Sequence, residues 1–197
     1  MMKSYPSHAS ARGFTLIEVL IALFVLSVAV LGIAGLQITS KRTNFEAVQR
    51  TTATFFAQEL MERIRANESQ LTVYTNAGAG RTIQLAGSDG ISATNCSTAA
   101  CDTATVAMYD LFEFSQSLRG VAELQGTTAT GGLVEPTVCI TGPVVPPGIV
   151  SVAVAWRGTT RLSNPGINNC GATSGRYDDD GDADVMRRVL LVNAFVE

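Results

Sequence analysis

Histidine is almost absent from this sequence of 197 residues: the one copy, His8, lies in the polar stretch that opens the chain. Without a later histidine, residues 14–197 can form neither a Ser-His-Asp or Cys-His catalytic group nor a metal site built on imidazole. Phosphate-binding loops and Gly-x-Ser-x-Gly turns are missing as well. The carboxylates of Asp110, Glu113 and Glu123 are expected to be solvated, so we predict no enzymatic activity and no cofactor.

Proline is also missing, between Pro6 and Pro136, so nothing in that stretch forces a helix to end. No charged residue occurs at positions 19–36, and with positions 14–17 the apolar run is long enough to span a bilayer, which takes about 20 residues. Beyond it, apolar residues recur at three- and four-residue spacing as far as Ile64, which is typical of an amphipathic helix. We predict one helix over 14–66, with a transmembrane segment over 14–38.

Lysine does not occur from Glu68 onward, and the formal net charge is −3, so a nucleic-acid partner is not expected. The acidic residues gather late, in "DDDGDAD". Calcium prefers several carboxylate oxygens, and the candidate ligands are listed here: Asp178, Asp180, Asp182 and Asp184. The EF-hand register fails, because Arg176 and Arg187 stand where the first and last ligands would be. A solvated acidic turn without a metal is the favoured interpretation, with calcium as the alternative.

Four cysteines follow the apolar run: Cys96, Cys101, Cys139 and Cys170. An even number without closely spaced Cys-x-x-Cys pairs is typical of disulfides in an oxidising compartment. Three pairings are possible, and Cys96–Cys101 with Cys139–Cys170 is favoured; unpaired buried thiols are the alternative. The cysteines also place the C-terminal part outside the cytoplasm, where the positive-inside rule alone does not decide the orientation.

The remainder, residues 67–197, is predicted to be a small globular domain. Leu71–Thr75 and Arg81–Ala86 are expected to form a hairpin, and Ala104–Leu118 a short helix. Further strands are expected at 136–141, 149–156 and 185–196, the second with one side buried and the other exposed. The predicted fold class is α+β: a long N-terminal helix packed on a small antiparallel sheet.

Residues 13–23, "GFTLIEVLIAL", carry a clear resemblance. A glycine, then an aromatic residue, then a glutamate five residues into the following segment resembles the N-terminal motif of type IV prepilins and the related pseudopilins; Gly13, Phe14 and Glu18 match it. The resemblance implies that residues 1–13 are a leader removed by prepilin peptidase after Gly13. It also implies that the new amine of Phe14 is methylated, and that Glu18 pairs with the Phe14 amine of a neighbouring subunit during assembly.

Later segments, among them "MERIRAN" and "YDL", resemble the minor pilins called type IV pilus modification proteins (PilV group). Many major pilins have a proline in the outer half of the span, and this chain has none there. The resemblance implies a subunit anchored in the bacterial inner membrane, with its C-terminal domain in the periplasm and later in the extracellular pilus, or fimbrium. Its expected partners are other minor and major pilins, prepilin peptidase and the inner-membrane assembly platform.

The expected function is a minor pilin that helps to prime pilus assembly at the tip, in support of twitching motility or adhesion. A minor pseudopilin of type II secretion is the alternative in the same structural class, because the N-terminal motif is shared. An alternative of another class is a binding module in which the tip domain is an adhesin.

Overall fold

The computed structural model describes residues 13–84, 91, 94–98, 100–120, 123–126, 128–129 and 131–197. The chain is α+β, with a long N-terminal helix and a small antiparallel sheet of four strands. By its internal contacts it divides into two compact units, and the boundary in the sequence lies between Asn44 and Phe45. The predicted leader lies, except for Gly13, outside the described residues.

Helix α1 spans Leu16–Ala66, 51 residues. Up to Asn44 every residue of it is exposed, in keeping with a sequence that is apolar on all sides. From Phe45 onward one face is buried, and its residues recur every three or four positions: Gln49, Ala53, Ala57, Leu60, Met61 and Ile64. This spacing places them on a single stripe of the helix, which is therefore the stripe that packs in the second unit.

Residues 68–74 continue the chain in helical turns, a 3₁₀ turn over Glu68–Gln70 and the short helix α2 over Leu71–Tyr74. The predicted hairpin is therefore wrong in its first strand. Strand β1 does form, over Arg81–Gln84, but its partner is a later strand; the last two residues of the predicted strand lie outside the described part. The apolar side chains of Leu71 and Tyr74 are buried in the core, and this tertiary packing outweighs the strand preference of valine, threonine and tyrosine.

Helix α3 spans Thr103–Leu118, in agreement with the predicted helix. It begins at Asp102, whose side-chain Oδ1 accepts a hydrogen bond of 2.8 Å from the backbone N–H of Thr105, a typical N-cap. Ala107, Leu111, Phe114 and Leu118 form its buried face. Phe114 contacts Phe56 of α1 edge to face, with ring centroids 6.0 Å apart, which joins the two helices.

The main sheet has the order β1–β4–β5–β6, with every pair antiparallel. Strand β4 spans Thr137–Thr141, β5 Gly148–Arg157 and β6 Arg187–Val196. A second, two-stranded sheet pairs β2 (Leu124–Gln125) with β3 (Thr128–Ala129). Strands β4, β5 and β6 confirm the three strands predicted after residue 130.

The sheet is covered on both faces over part of its length. Val150, Val152, Val154 and Trp156 face the core that α1 and α3 complete. Ala153 and Ala155, on the opposite face, are also buried, against Cys170 and Tyr177 of the loop between β5 and β6. The expected one-sided burial of β5 is therefore wrong at these positions, because a loop without helix or strand covers the outer face.

Candidate functional site

The N-terminal segment begins with Gly13, Phe14 and Thr15 outside the helix. The side-chain Oγ1 of Thr15 accepts a hydrogen bond of 3.3 Å from the backbone N–H of Glu18, and the carbonyl of Thr15 accepts from Val19 at 3.3 Å. Thr15 is therefore the N-cap of α1, and Glu18 occupies the first helical turn. An acidic side chain there is favoured by the helix dipole.

Glu18 is exposed within an apolar surface. Together with its neighbours it lines a shallow concavity of about 450 Å³, whose residues are Phe14, Glu18, Val19, Ala22, Leu23 and Leu26. In the described part of the chain, no cation lies within ion-pair distance of its carboxylate. The site thus presents a carboxylate surrounded by hydrocarbon, and within the described chain its partner is still missing.

Gly13 has no packing reason to be glycine. A Cβ placed on it would meet no atom within 4 Å, and the same holds for Gly32 and Gly35 in the helix. Glycine is unfavourable inside a helix by about 1 kcal/mol relative to alanine. The chain's own described residues therefore give no packing reason for these three glycines.

Among the described residues, one helix, Leu16–Ala66, is long and apolar enough to cross a membrane, and no residue of its apolar window is buried. Phe14, Leu31 and Leu36 are each more than 70% exposed. Burying such side chains is favourable by about 25 cal/mol for each Å² of apolar surface. This surface is suited to lipid or to other apolar helices.

The cysteines form two disulfides, Cys96–Cys101 and Cys139–Cys170, which is the pairing favoured from the sequence. The second joins β4 to the loop that covers the outer face of the sheet. Arg187, buried at the start of β6, holds the same loop with hydrogen bonds to the carbonyls of Asn168, Cys170 and Pro165. The loop is thus fixed by one covalent and several polar contacts.

The acidic turn after Tyr177 forms ion pairs with an arginine. Arg161 forms ion pairs with Asp179, Asp180 and Asp182. Of the four predicted calcium ligands, Asp178 accepts a hydrogen bond from the backbone of Asp184, whereas the side chain of Asp184 is buried and accepts from Asn164 and Thr173. Across the described residues, no group of three or more His, Cys, Asp or Glu side chains is arranged to hold a metal ion.

Two of the three carboxylates that were expected to be solvated, Asp110 and Glu113, form ion pairs with Arg63 instead. Its Nη1 lies 3.0 Å from Asp110 and 3.1 Å from Glu113, and its Nη2 lies 3.0 Å from Glu59. Burial alone would lower the pKa of Arg63, but the hydrogen bonds to these acids outweigh it and raise the pKa. Tyr74 donates to Asp110 at 2.7 Å; its pKa is raised by burial and by this bond. The cluster joins α1, α2 and α3, with the guanidinium at its centre.

Comparison with known proteins gives two adjoining family matches. The model of the prokaryotic N-terminal methylation motif matches residues 8–34, and the model of the type IV pilin Tt1218 family matches residues 35–112. No curated protein and no solved structure matches. The chain is a type IV prepilin-like protein. The expected family resemblance is confirmed at this level; the PilV-like subtype remains a hypothesis.

Together the two matches cover the N-terminal motif and the whole of helix α1. The first contains Gly13, Phe14 and Glu18; the second begins at Gly35 and ends in α3 at Phe112. The N-terminal motif and the single apolar helix fit a pilin anchored in the inner membrane. Family membership indicates a structural subunit, a class that is in general not enzymatic.

Sequence reasoning missed one residue of this site, Thr15. The signal was present in the sequence: Thr15 and Glu18 have the Ser/Thr-x-x-Glu spacing of a capping box. The structure contains the half in which Thr15 caps the helix. Glu18 therefore lies in the first turn of a helix that is capped by Thr15, three residues before it.

Proposed function

We propose that this prepilin is a minor pilin that joins a filament through its N-terminal helix and helps to prime pilus assembly at the tip. The observation that carries the proposal is Glu18: an exposed carboxylate in an apolar surface, at the start of a helix that matches the methylation motif. A charge in such surroundings is costly unless it is paired. A partner supplied by another subunit would make the pairing specific.

The partner is the amine of Phe14, which exists only after cleavage between Gly13 and Phe14. Prepilin peptidase would make that cut, and the amine would then be methylated and remain positive. Gly13 supports the proposal, since it has no side chain to obstruct the approach of an enzyme to the backbone. Pairing Glu18 with the Phe14 amine of a neighbour would lower the cost of burying both charges.

In this proposal residues 14–38 hold the subunit in the inner membrane, with residues 67–197 in the periplasm and later in the extracellular pilus. Its partners are other minor and major pilins and the assembly platform. The second unit, closed by two disulfides, supplies contacts and no chemistry. The match to a family described as type IV pilin favours a pilus over a type II secretion pseudopilus.

The test replaces Glu18 with valine in cells that assemble the pilus. Glu18→Val should still be cleaved, because the cut precedes it, but its amount in sheared filaments should fall at least tenfold. Glu62→Val is the matched control, since Glu62 is an exposed acid of the same helix, and it should assemble normally. Normal incorporation of Glu18→Val would refute the charge-pair mechanism.

Processing is tested separately with Gly13→Val. The added side chain should leave an uncleaved protein in the membrane, longer by the leader, as seen by immunoblot and by mass spectrometry of the N-terminus. Normal cleavage of Gly13→Val would mean that the cut is misplaced. Deletion of the gene distinguishes a minor pilin of the pilus from a pseudopilin of type II secretion, because the first is needed for piliation and the second for enzyme secretion.

A further inference from the structure

Strand β6 forms one edge of the main sheet. All ten of its residues pair with β5, from Arg187 opposite Arg157 to Val196 opposite Gly148. Among the described residues, no group other than β5 forms a backbone hydrogen bond with positions 189–196 of β6. Within the part of the chain that the structure describes, one side of this strand therefore presents a row of free N–H and C=O groups.

From Val189 to Val196 the free edge lacks several features that usually prevent a strand from pairing with another chain. Such edges are normally short, twisted by a bulge, or interrupted by proline or lysine. From Val189 to Val196 the sequence is "VLLVNAFV", without proline and without charge, and the ladder with β5 continues without a bulge through these positions. A long apolar edge of this kind is either a binding site or a site of aggregation.

An exposed apolar pair lies beside the end of this edge. Ile149 of β5 stands opposite Phe195 of β6, and the two are 62% and 58% exposed. They lie on the outer face, on the same side as the buried Ala153 and Ala155, but the loop that buries those alanines leaves them uncovered. Backbone groups and apolar side chains are therefore available together at the end of β6.

The direction of β6 within the second unit is fixed by two contacts. Glu46, close to where the chain enters the unit, contacts Arg188 near the start of β6. Thr75, beyond the end of α1, contacts Pro143 in the turn between β4 and β5, at the end of the sheet where Val196 lies. We call the end of the unit at which the chain enters it, near Glu46, the entry end, and the opposite end, near Pro143, the far end. Strand β6 thus runs from the entry end to the far end.

We propose that the free edge of β6 binds the edge strand of a second pilin domain held in the same orientation, which extends the sheet across the subunit boundary. The inference rests on the proposed function as a pilin, since subunits that share a membrane receive their anchors at the same end. An antiparallel partner must then run from the far end to the entry end. Two β6 strands cannot pair in this way, because one copy would be inverted.

Strand β1 of this chain shows what a suitable partner strand contains. It is antiparallel to β6, since β1, β4, β5 and β6 alternate in direction. It begins at the far end with Arg81, which is near Thr141 and donates to the carbonyl of Val73 at 2.8 Å. Strand β6 is followed at the same end by the exposed acid Glu197. In subunits of equal orientation, a basic residue that begins the partner strand would lie beside Glu197.

A contact of this kind joins two different surfaces, β6 of one subunit and an opposite edge of the next. Such head-to-tail contacts repeat without closing when the rotation between subunits does not return to the start, and they then generate helical filaments. The proposed strand addition is therefore compatible with the geometry of a filament, whereas a two-fold contact would end growth after two subunits.

The experiment places a photo-crosslinking amino acid at Phe195 in the full chain, expressed in cells that assemble the pilus. The matched control is Leu162, which is 56% exposed and lies on the loop after β5. Position 195 should give an adduct whose cross-linked peptide is an edge strand of a pilin domain, at least fivefold above position 162. An adduct elsewhere in a pilin, or none above the control, would overturn the proposal.

A substitution provides the second readout. Phe195→Lys should keep the thermal transition of the wild type and normal cleavage after Gly13, but its amount in sheared filaments should fall about tenfold; Leu162→Lys should remain within twofold. If Phe195→Lys assembles normally while Glu18→Val does not, strand addition is refuted and the proposed function stands. If Glu18→Val also assembles normally, the charge-pair mechanism of the proposed function is refuted as well.

Discussion

The two compact units of this prepilin use their apolar side chains differently. In residues 13–44 every large apolar side chain is exposed, whereas in residues 45–197 side chains such as Leu60, Leu111 and Phe114 are completely buried. The second unit thus stabilises itself through its own core. Residues 13–44, the described part of the first unit, contain no buried apolar side chain, so their apolar surface can gain free energy only from a surrounding bilayer or from other helices.

The comparison predicts that truncation of an apolar side chain to alanine destabilises the second unit strongly and the first unit hardly at all. Phe114→Ala should destabilise the second unit by about 3–5 kcal/mol, because it removes a buried ring and leaves a cavity. Leu23→Ala should change the unfolding free energy by less than about 0.5 kcal/mol, since Leu23 is exposed. Urea denaturation of the full chain in detergent measures both; equal effects would invalidate the comparison.

The two disulfides are expected to stabilise the second unit by different amounts. Loss of Cys139–Cys170, which closes a separation of 31 residues, should cost about 3–4 kcal/mol, and loss of Cys96–Cys101, with a separation of 5, about 2 kcal/mol. The longer loop loses more entropy when it is closed in the unfolded chain. Paired alanine substitutions and urea denaturation test the order, and a larger loss for the shorter loop would contradict it.

Arg63 should have a smaller effect, since its cluster is only partly buried. Arg63→Met keeps much of the apolar stem but leaves Glu59, Asp110 and Glu113 without their cation. We expect a loss of about 1–2 kcal/mol, between the values for exposed and buried ion pairs. Arg65→Met is the control, because Arg65 has a single exposed partner, and its loss should be below about 0.5 kcal/mol.

The smallest effect should appear at alkaline pH. The folded chain raises the pKa of Tyr74 above its ordinary value of 10.0, so above about pH 10 the unfolded chain binds fewer protons than the folded one. Stability contributed by the neutral phenol is present below pH 10 and is lost as the pH rises towards the folded pKa. Tyr74→Phe should flatten this decline in thermal melts; an unchanged slope would refute the assignment.

The sequence predicted the elements whose pattern is local. The long helix, helix α3 and the strands after residue 130 follow from apolar spacing and from the positions of proline and glycine. It failed at Leu71–Tyr74, where burial of Leu71 and Tyr74 against distant residues decides for a helix. It failed also at Ala153 and Ala155, because coverage by a loop more than ten residues away leaves no periodic signal.

The candidate site differs from the fold in what its prediction requires. Gly13, Phe14 and Glu18 could be proposed from the sequence because they are close together in it, and a local motif needs no tertiary contact to be recognised. The meeting of Asp110 and Glu113 with Arg63 could not be predicted, because it depends on how α3 packs on α1. The free edge of β6 depends on strand order, which one sequence does not specify.

Arg161 leaves the acidic turn only partly neutralised. Its guanidinium forms ion pairs with Asp179, Asp180 and Asp182, so three carboxylates share the one positive charge of this residue. Repulsion among the carboxylates is thereby reduced from within the chain, but a net negative charge is left on the turn. Dissolved salt screens exposed charges of this kind, so the shape of this loop should depend on ionic strength less than that of an acidic turn without an arginine.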